Sequence, residues 1–162
     1  AYLEELTGKK YNWEQMNAER QVEIMRELEG SEPMPGARAL LEQLQHSPSA
    51  IVSSSSHHWV DQWMDKLELM HLVNTTVCKG DAPRIKPAPD LFLEAARQLN
   101  VEPSDCLVIE DSHNGMHAAH AAGMEVLAVP NRLTSILDFS QAAWFAESLS
   151  ELISSDTAQP GS

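Results

Sequence analysis

The chain has 162 residues, of which 43% are hydrophobic and 22% are charged; this ordinary globular composition excludes a chain that is disordered throughout or a fibre. Its 11 Lys and Arg residues against 24 Asp and Glu residues give a net charge of −13. Nucleic acids and anionic membranes are bound through basic surfaces, so this acidity argues against both as partners.

The sequence shows no secretory signal, no membrane-spanning run and no disulfide framework, and these features predict the cellular compartment. Residues 1–10 are polar and mixed in charge, unlike a secretory signal, and no apolar run is long enough to span a bilayer. Cys78 and Cys106 are too few for a disulfide framework. We therefore expect a cytoplasmic protein with reduced, buried thiols.

The first part of the chain is predicted to be helical. Apolar residues recur at helical spacing over residues 16–28, after a pair at Asn12 and Gln15 that resembles a capping box. Residues 31–36 are rich in turn formers, which makes them the best candidate for a domain boundary. Residues 37–44 are predicted to form a second helix.

From residue 50 onward, short apolar runs alternate with helical stretches. The predicted strands are Ala50–Ser53, Thr76–Cys78, Cys106–Glu110, Glu125–Val129 and Ala143–Phe145. The predicted helices are Trp59–Leu67, Asp90–Leu99, Gly115–Ala122 and Leu149–Ile153. The strands do not alternate polar and apolar residues, as expected when both faces of a sheet are covered. This order predicts an α/β fold with an open parallel sheet and flanking helices, which binds ligands beyond the carboxyl ends of its strands.

Polar residues occur where these predicted strands end. Four serines, residues 53–56, follow the first strand, and Glu110 and Asp111 end the third. Lys86 lies between them in sequence, in a Lys-Pro-x-Pro segment. Hydroxyls and free N–H groups bind phosphoryl oxygens, a lysine neutralises them, and paired carboxylates hold Mg²⁺. Taken singly, these are a serine-rich loop, a solvated lysine and a solvated turn; their order along the chain favours a phosphate site.

Three histidines allow a different site. His113, His117 and His120 would share one face of a predicted helix, where a transition metal could bind. Solvated or core-edge histidines are the favoured interpretation, because no further ligand is evident nearby in the sequence.

Five segments resemble the haloacid dehalogenase (HAD) superfamily, and within it the β-phosphoglucomutase-like phosphatases with a helical cap. They are Ala50–Ser56, Lys86–Phe92, Val108–Gly115, Ala118–Gly123 and Val129–Pro130. The resemblance implies a Rossmann-like core at residues 34–153 that lacks its first strand. It also implies that residues 1–33 are the remnant of the cap, and residues 154–162 are predicted to be a disordered tail.

The resemblance assigns a role to each polar residue at the strand ends. The Ser53 hydroxyl and the Ser54 N–H would bind the phosphoryl group, and Lys86 would neutralise it. Glu110 and Asp111 would hold Mg²⁺, Asp111 directly and Glu110 through water.

The implied activity is that of a Mg²⁺-dependent phosphohydrolase acting on a small phosphomonoester, such as a sugar phosphate, through an aspartyl-phosphate. His57 falls where some relatives contact the substrate. A phosphomutase of the same family is an alternative, because it differs only in returning the phosphoryl group to the substrate.

One family motif is absent. The nucleophile and the general acid of the family form an Asp-x-Asp pair at the end of the first strand, and none of the eight aspartates here has that spacing. We therefore expect an N-terminally truncated copy that is inactive as given. The missing strand would lie between Ala50–Ser53 and Cys106–Glu110, so its absence predicts strand-swapped self-association or, alternatively, a non-catalytic binding module.

Overall fold

The computed structural model describes residues 7–10, 12–28, 30 and 32–153, and the chain divides into two units, residues 1–32 and 33–162. In the first unit, helix α1 spans Trp13–Leu28. The Asn12 side-chain oxygen accepts the Gln15 N–H at 3.1 Å, as expected of a capping residue at a helix start. None of the helices in the described ranges is long and apolar enough to cross a membrane.

The second unit alternates strands and helices, which confirms the predicted α/β fold class. In chain order it contains α2 (Ala37–Leu44), β1 (Ala50–Val52), α3 (His57–Lys66), β2 (Thr75–Val77), α4 (Asp90–Leu99), β3 (Leu107–Glu110), α5 (His113–Ala121), β4 (Glu125–Ala128) and β5 (Trp144–Phe145). Short 3₁₀ helices span Met70–Leu72, Pro103–Asp105 and Leu149–Leu152. The last of these replaces the α-helix predicted over residues 149–153. The predicted disordered tail, residues 154–162, lies outside the described residues.

The parallel strands form two sheets, and β1 and β3, which were predicted to flank a missing strand, do not pair with each other. Strand β1 pairs with β2, and β3, β4 and β5 pair in that order, all in parallel. The Ser53 N–H donates to the Val77 carbonyl at 2.9 Å, so the preceding residue, Val52, presents its backbone groups to the opposite edge of β1. Similarly, the Glu110 carbonyl accepts the Val129 N–H at 2.8 Å, so Ile109 faces the outer edge of β3. Among the described residues, these two edges have no partner strand.

Helices α4 and α5 cover the sheets through small and apolar side chains. Leu91 and Met116 are fully buried, and each such side chain stabilises the fold by about 1.5–3 kcal/mol relative to an exposed one. Ala118 and Ala119 are also fully buried, which brings α5 close to β3 and β4. Helix α4 ends at Asn100, which has a left-handed conformation with φ of 55°.

Both cysteines of the described chain are free thiols, but they differ in burial. Cys78 is buried and Cys106 is half-buried. Burial, with the nearby Asp61 and Asp81 carboxylates, raises the pKa of the Cys78 thiol to about 11.

Candidate active site

The Lys86 side chain joins the ends of the two sheets. Its Nζ donates a hydrogen bond to the Val52 carbonyl at 3.0 Å, where β1 ends, and forms an ion pair with the Glu110 carboxylate at the end of β3. The ammonium also lies 4.7 Å from the centroid of the Phe92 ring. Only 11% of the side chain is exposed, and a buried charge needs such partners. Lys86 therefore ties the ends of β1 and β3 to one place.

The loop that carries Lys86 is closed by an ion pair between Arg84 and Asp90. The guanidinium donates two hydrogen bonds, from Nε to Oδ1 at 3.0 Å and from Nη2 to Oδ2 at 2.8 Å. Such two-pronged pairs fix geometry as well as charge. Asp90 is the first residue of α4, where the helix dipole also favours a carboxylate. The Lys-Pro-x-Pro segment is thus held at both ends.

The Glu110 carboxylate is enclosed by the start of α5. Its Oε2 accepts the Ser112 N–H at 3.2 Å and the Ser112 hydroxyl at 2.8 Å. The same hydroxyl oxygen accepts the Gly115 N–H at 3.0 Å, which caps α5. A β-carbon at position 115 would overlap the carboxylate, so any larger residue there would have to displace it. With Lys86 on its other oxygen, Glu110 has a partner on both sides.

The Asp111 carboxylate is held by one side chain from the loop after β4. Asn131 Nδ2 donates to Asp111 Oδ2 at 2.7 Å. The amide oxygen of Asn131 accepts the N–H groups of Leu133 and Thr134, at 2.7 and 3.1 Å, which fixes the orientation of the amide. None of the described residues donates to the other carboxylate oxygen of Asp111, so that oxygen is available to a ligand.

The serines after β1, residues 53–56, form a tight turn, here called the serine loop. The Ser53 hydroxyl oxygen accepts the Ser55 N–H at 3.1 Å, so its own proton remains available to a ligand. The Ser55 carbonyl accepts the Lys79 N–H at 2.8 Å. The Ser54 N–H makes no hydrogen bond to the part of the chain that the structure describes. A hydroxyl and an open N–H group in the turn that leads into α3 are suited to bind an anion.

Some of the site residues predicted from the sequence are in direct contact, and others are neighbours in sequence of residues that make a contact. Lys86 contacts Glu110 itself, and Ser53 and Asp111 each directly follow a residue that Lys86 contacts. The predicted role of His57 was a contact with the substrate. In the structure, both of its ring nitrogens face carboxylates of the chain instead. They lie 3.2 Å from Asp61 and 2.7 Å from Asp81.

The donor set of this edge fits Mg²⁺ better than a transition metal. Asp111 and Glu110 supply carboxylate oxygens, and Mg²⁺ is commonly held by one or two carboxylates while it keeps water and phosphate ligands. No group of three or more His, Cys, Asp and Glu side chains within residues 7–10, 12–28, 30 and 32–153 could hold a metal ion. The histidines of α5 do not form such a site either: His120 Nε2 lies 2.8 Å from the Gln141 carbonyl.

Three residues of this edge were not among the predicted site residues. Ser112 and Gly115 belong to the Glu-Asp-Ser-x-x-Gly segment, whose spacing of hydroxyl and glycine is a recognisable helix start. Asn131 follows a predicted strand, but it lies 20 residues from Asp111 in sequence. Only the pairing of β3 with β4 brings these two side chains together.

Comparisons with known proteins agree with this geometry. Residues 2–129 match the haloacid dehalogenase-like hydrolase family. The Bacillus subtilis (strain 168) protein named "Putative phosphatase YhcW" is 35% identical over 153 residues, which cover 93% of this chain and 70% of that protein. A Drosophila melanogaster protein named "Probable pseudouridine-5'-phosphatase" is 36% identical over 148 residues, which cover 86% of this chain and 64% of that protein.

A solved structure shows the same fold. A conserved haloacid dehalogenase-like protein from Agrobacterium tumefaciens str. C58 superimposes with a TM-score of 0.75 at 27% identity, covering 93% of this chain and 72% of that one. The chain thus spans about two thirds of the length of the relatives described here. The chain belongs to the haloacid dehalogenase-like hydrolase family.

Proposed function

We propose that this chain is the main part of a Mg²⁺-dependent phosphohydrolase that acts on small phosphomonoesters, sugar phosphates among them. The observation that carries the proposal is the contact of Lys86 with both the Val52 carbonyl and the Glu110 carboxylate. It gathers an ammonium, an acid pair and the serine loop at one edge. The names of the two relatives, a phosphatase and a pseudouridine-5'-phosphatase, support a phosphorylated small molecule as substrate.

The residues of this chain bind and neutralise the phosphoryl group. The Ser53 hydroxyl and the Ser54 N–H donate hydrogen bonds to its oxygens, and Lys86 balances its negative charge. Asp111, through its available oxygen, and Glu110, through water, hold Mg²⁺. When bound, Mg²⁺ reduces the repulsion between these carboxylates and the phosphate.

Transfer requires a further pair of carboxyl groups. One carboxylate oxygen attacks phosphorus, the bond from phosphorus to the alcohol oxygen breaks, and a second acid gives its proton to the departing oxygen. That second group then takes a proton from water, the water oxygen attacks the aspartyl-phosphate, and inorganic phosphate leaves the regenerated carboxylate. Glu110 and Asp111 are engaged by Lys86 and Asn131, and no Asp-x-Asp occurs among the eight aspartates of the chain. We propose that an additional strand between β1 and β3 supplies this pair.

The direct test is phosphatase activity with p-nitrophenyl phosphate and Mg²⁺. The chain as given is expected to show no turnover above its Lys86→Ala variant. A form extended by an apolar strand ending in Asp-x-Asp is expected to release inorganic phosphate, and Lys86→Ala is expected to abolish this. Turnover by the chain as given that Lys86→Ala removes would refute its proposed inactivity. Transfer to a second substrate hydroxyl without phosphate release would favour the phosphomutase.

The unpaired edges of β1 and β3 favour a second candidate, a non-catalytic module that binds a strand from another chain or a second copy of itself. Light scattering across a dilution series distinguishes these states. A dimer that dissociates when a synthetic apolar peptide ending in Asp-x-Asp is added would support strand exchange. A monomer that neither binds this peptide nor self-associates would refute it.

A further inference from the structure

His57, the first residue of α3, lies between two carboxylates from different elements. Its Nδ1 is 3.2 Å from Oδ2 of Asp61, one turn along α3, and its Nε2 is 2.7 Å from Oδ2 of Asp81, after β2. Each carboxylate has a further donor: Thr76 Oγ1 donates to Asp61 at 3.1 Å, and the Cys78 N–H donates to Asp81 at 2.8 Å. The imidazole ring therefore links α3 to β2 and to the loop that follows it.

This link lies beside a second one. The Lys79 N–H donates to the Ser55 carbonyl at 2.8 Å, two residues before His57. One backbone bond thus joins the serine loop to residues 78–81, here called the β2 loop, and a side-chain bridge joins His57, the residue directly after the serine loop, to the same β2 loop. Of the two, only the side-chain bridge can change its protonation near neutral pH.

Two carboxylate partners require two ring N–H groups. A neutral imidazole carries one proton and could donate to Asp61 or to Asp81 but not to both, whereas the imidazolium ion donates to both. We propose that His57 is a positioning residue whose imidazolium form clamps the serine loop to the β2 loop and so fixes the phosphate-binding shape of the serine loop. The phosphate part of this inference rests on the proposed function, and the clamp itself does not.

The charges around the ring support the imidazolium form. Asp61 faces the ring from α3, and Asp81 faces it from the β2 loop. The neutral Cys78 thiol lies at the end of β2, and the negative charge of Glu94, on α4, raises the pKa of Asp81. The hydrogen bond to Asp81, followed by that to Asp61, raises the pKa of His57 despite partial burial.

The pKa directions define when the clamp is complete. The raised pKa of His57 means that its contribution is fully present below the ordinary histidine pKa and is lost as the pH rises through the raised value. The pKa of Asp81 is lowered, chiefly by the Cys78 N–H, so its contribution is present above the ordinary aspartate pKa and is lost as the pH falls further. The clamp is therefore intact between the ordinary pKa values of aspartate and histidine, and it opens as the pH rises through the raised pKa of His57.

The test is an NMR titration of the imidazole and backbone nitrogens of this chain. We expect the His57 midpoint to lie above the ordinary histidine pKa and to fall in Asp81→Asn. The amides of Ser54 to Ser56 should shift with the His57 midpoint. His57→Gln should remove that shift, whereas the matched control His58→Gln should keep it. A His57 midpoint at or below the ordinary histidine pKa, or serine-loop amides that do not follow it, would overturn the proposal.

Binding of inorganic sulfate, which keeps its charge over this pH range, separates the clamp from the proposed function. We expect the sulfate dissociation constant to rise about tenfold in His57→Gln, which is the scale seen when a group that orients a ligand is lost. In wild type, we expect the same rise when the pH exceeds the His57 midpoint. Unchanged affinity in His57→Gln would overturn the positioning role. If wild type and His58→Gln both fail to bind sulfate, the phosphate site fails instead, and the amide shifts still decide the clamp. If His57→Gln does not fold, Asp81→Asn provides the same comparisons.

Discussion

The carboxylate of Glu110 lies in the space that a β-carbon at position 115 would need. One hydroxyl connects the two residues: Ser112 donates to Glu110 at 2.8 Å and accepts the Gly115 N–H at 3.0 Å. The end of β3 and the first turn of α5 therefore hold each other in place. The Glu110 carboxylate, which pairs with Lys86, is positioned by the start of α5.

Gly115→Ala is expected to destabilise the fold although alanine is the better helix former. Its methyl group would displace the Glu110 carboxylate from Lys86, at a cost of about 1–3 kcal/mol for overpacking a buried site. The gain in helix propensity is at most about 1 kcal/mol. Urea unfolding measures the difference. Gly30→Ala is the control, because nothing lies within 4 Å of a β-carbon there. Equal effects at both positions would contradict the overlap.

Lys86→Met is expected to lower the free energy of unfolding by about 3–5 kcal/mol, because it leaves a buried carboxylate without its partner. The Lys86→Met/Glu110→Gln double variant should recover part of this loss, since it removes the unpaired charge as well. Arg97→Ala, which breaks an exposed pair with Glu94, is the control and should have a much smaller effect. Urea unfolding of Lys86→Met, Glu110→Gln and the double variant gives the coupling between Lys86 and Glu110. A double variant no more stable than Lys86→Met would argue against this pair.

Asn131→Asp is expected to make stability depend on Mg²⁺. The new carboxylate keeps the acceptor for the Leu133 and Thr134 N–H groups but loses the donor to Asp111, and two negative charges then face each other. The unfolding midpoint should fall without metal, and Mg²⁺ should raise it more than in wild type, because more ligand charge strengthens cation binding. Ser135→Asp in the same loop, at matched ionic strength, is the control. An identical Mg²⁺ response in all three proteins would remove Asp111 from the metal site.

The two thiols are expected to differ in reactivity. The pKa of Cys78 is raised to about 11 by burial and nearby carboxylates, so little thiolate forms near pH 9 in the folded state. Iodoacetamide should modify half-buried Cys106 first and Cys78 only after unfolding, as peptide mass spectrometry can follow. Because folding opposes ionisation of Cys78, its contribution to stability is lost as the pH rises from the ordinary thiol pKa toward 11. Equal labelling rates in the folded protein would contradict this burial.

The strands and most helices could be predicted because local patterns determine them. Helix α4 was predicted with its observed bounds, Asp90–Leu99, since it begins after a Lys-Pro-x-Pro segment and ends at an asparagine. The 3₁₀ helix at Met70–Leu72 was not predicted, because three residues carry too little periodicity. The parallel α/β arrangement was predicted; β1 and β3, which were expected to flank a missing strand, do not pair with each other.

The candidate site was predictable only where its residues end strands. Ser53, Glu110 and Asp111 could be found in this way, and the grouping of Lys86 with them came from the order of the motifs. The partners that orient them could not be found, because they depend on register and packing. Asp81 reaches His57 only because β1 pairs with β2, and the Glu110 carboxylate fits against Gly115 only because α5 starts immediately after β3.

The division of the strands between two sheets has a consequence for amide hydrogen exchange. Along β3, Val108 and Glu110 face β4, whereas the Ile109 N–H points to the open edge. Slow and fast exchanging amides should therefore alternate residue by residue within a single strand. A ligand strand that fills the gap would slow exchange at Ile109 while leaving Val108 unchanged, so one residue can report whether the two halves have become continuous.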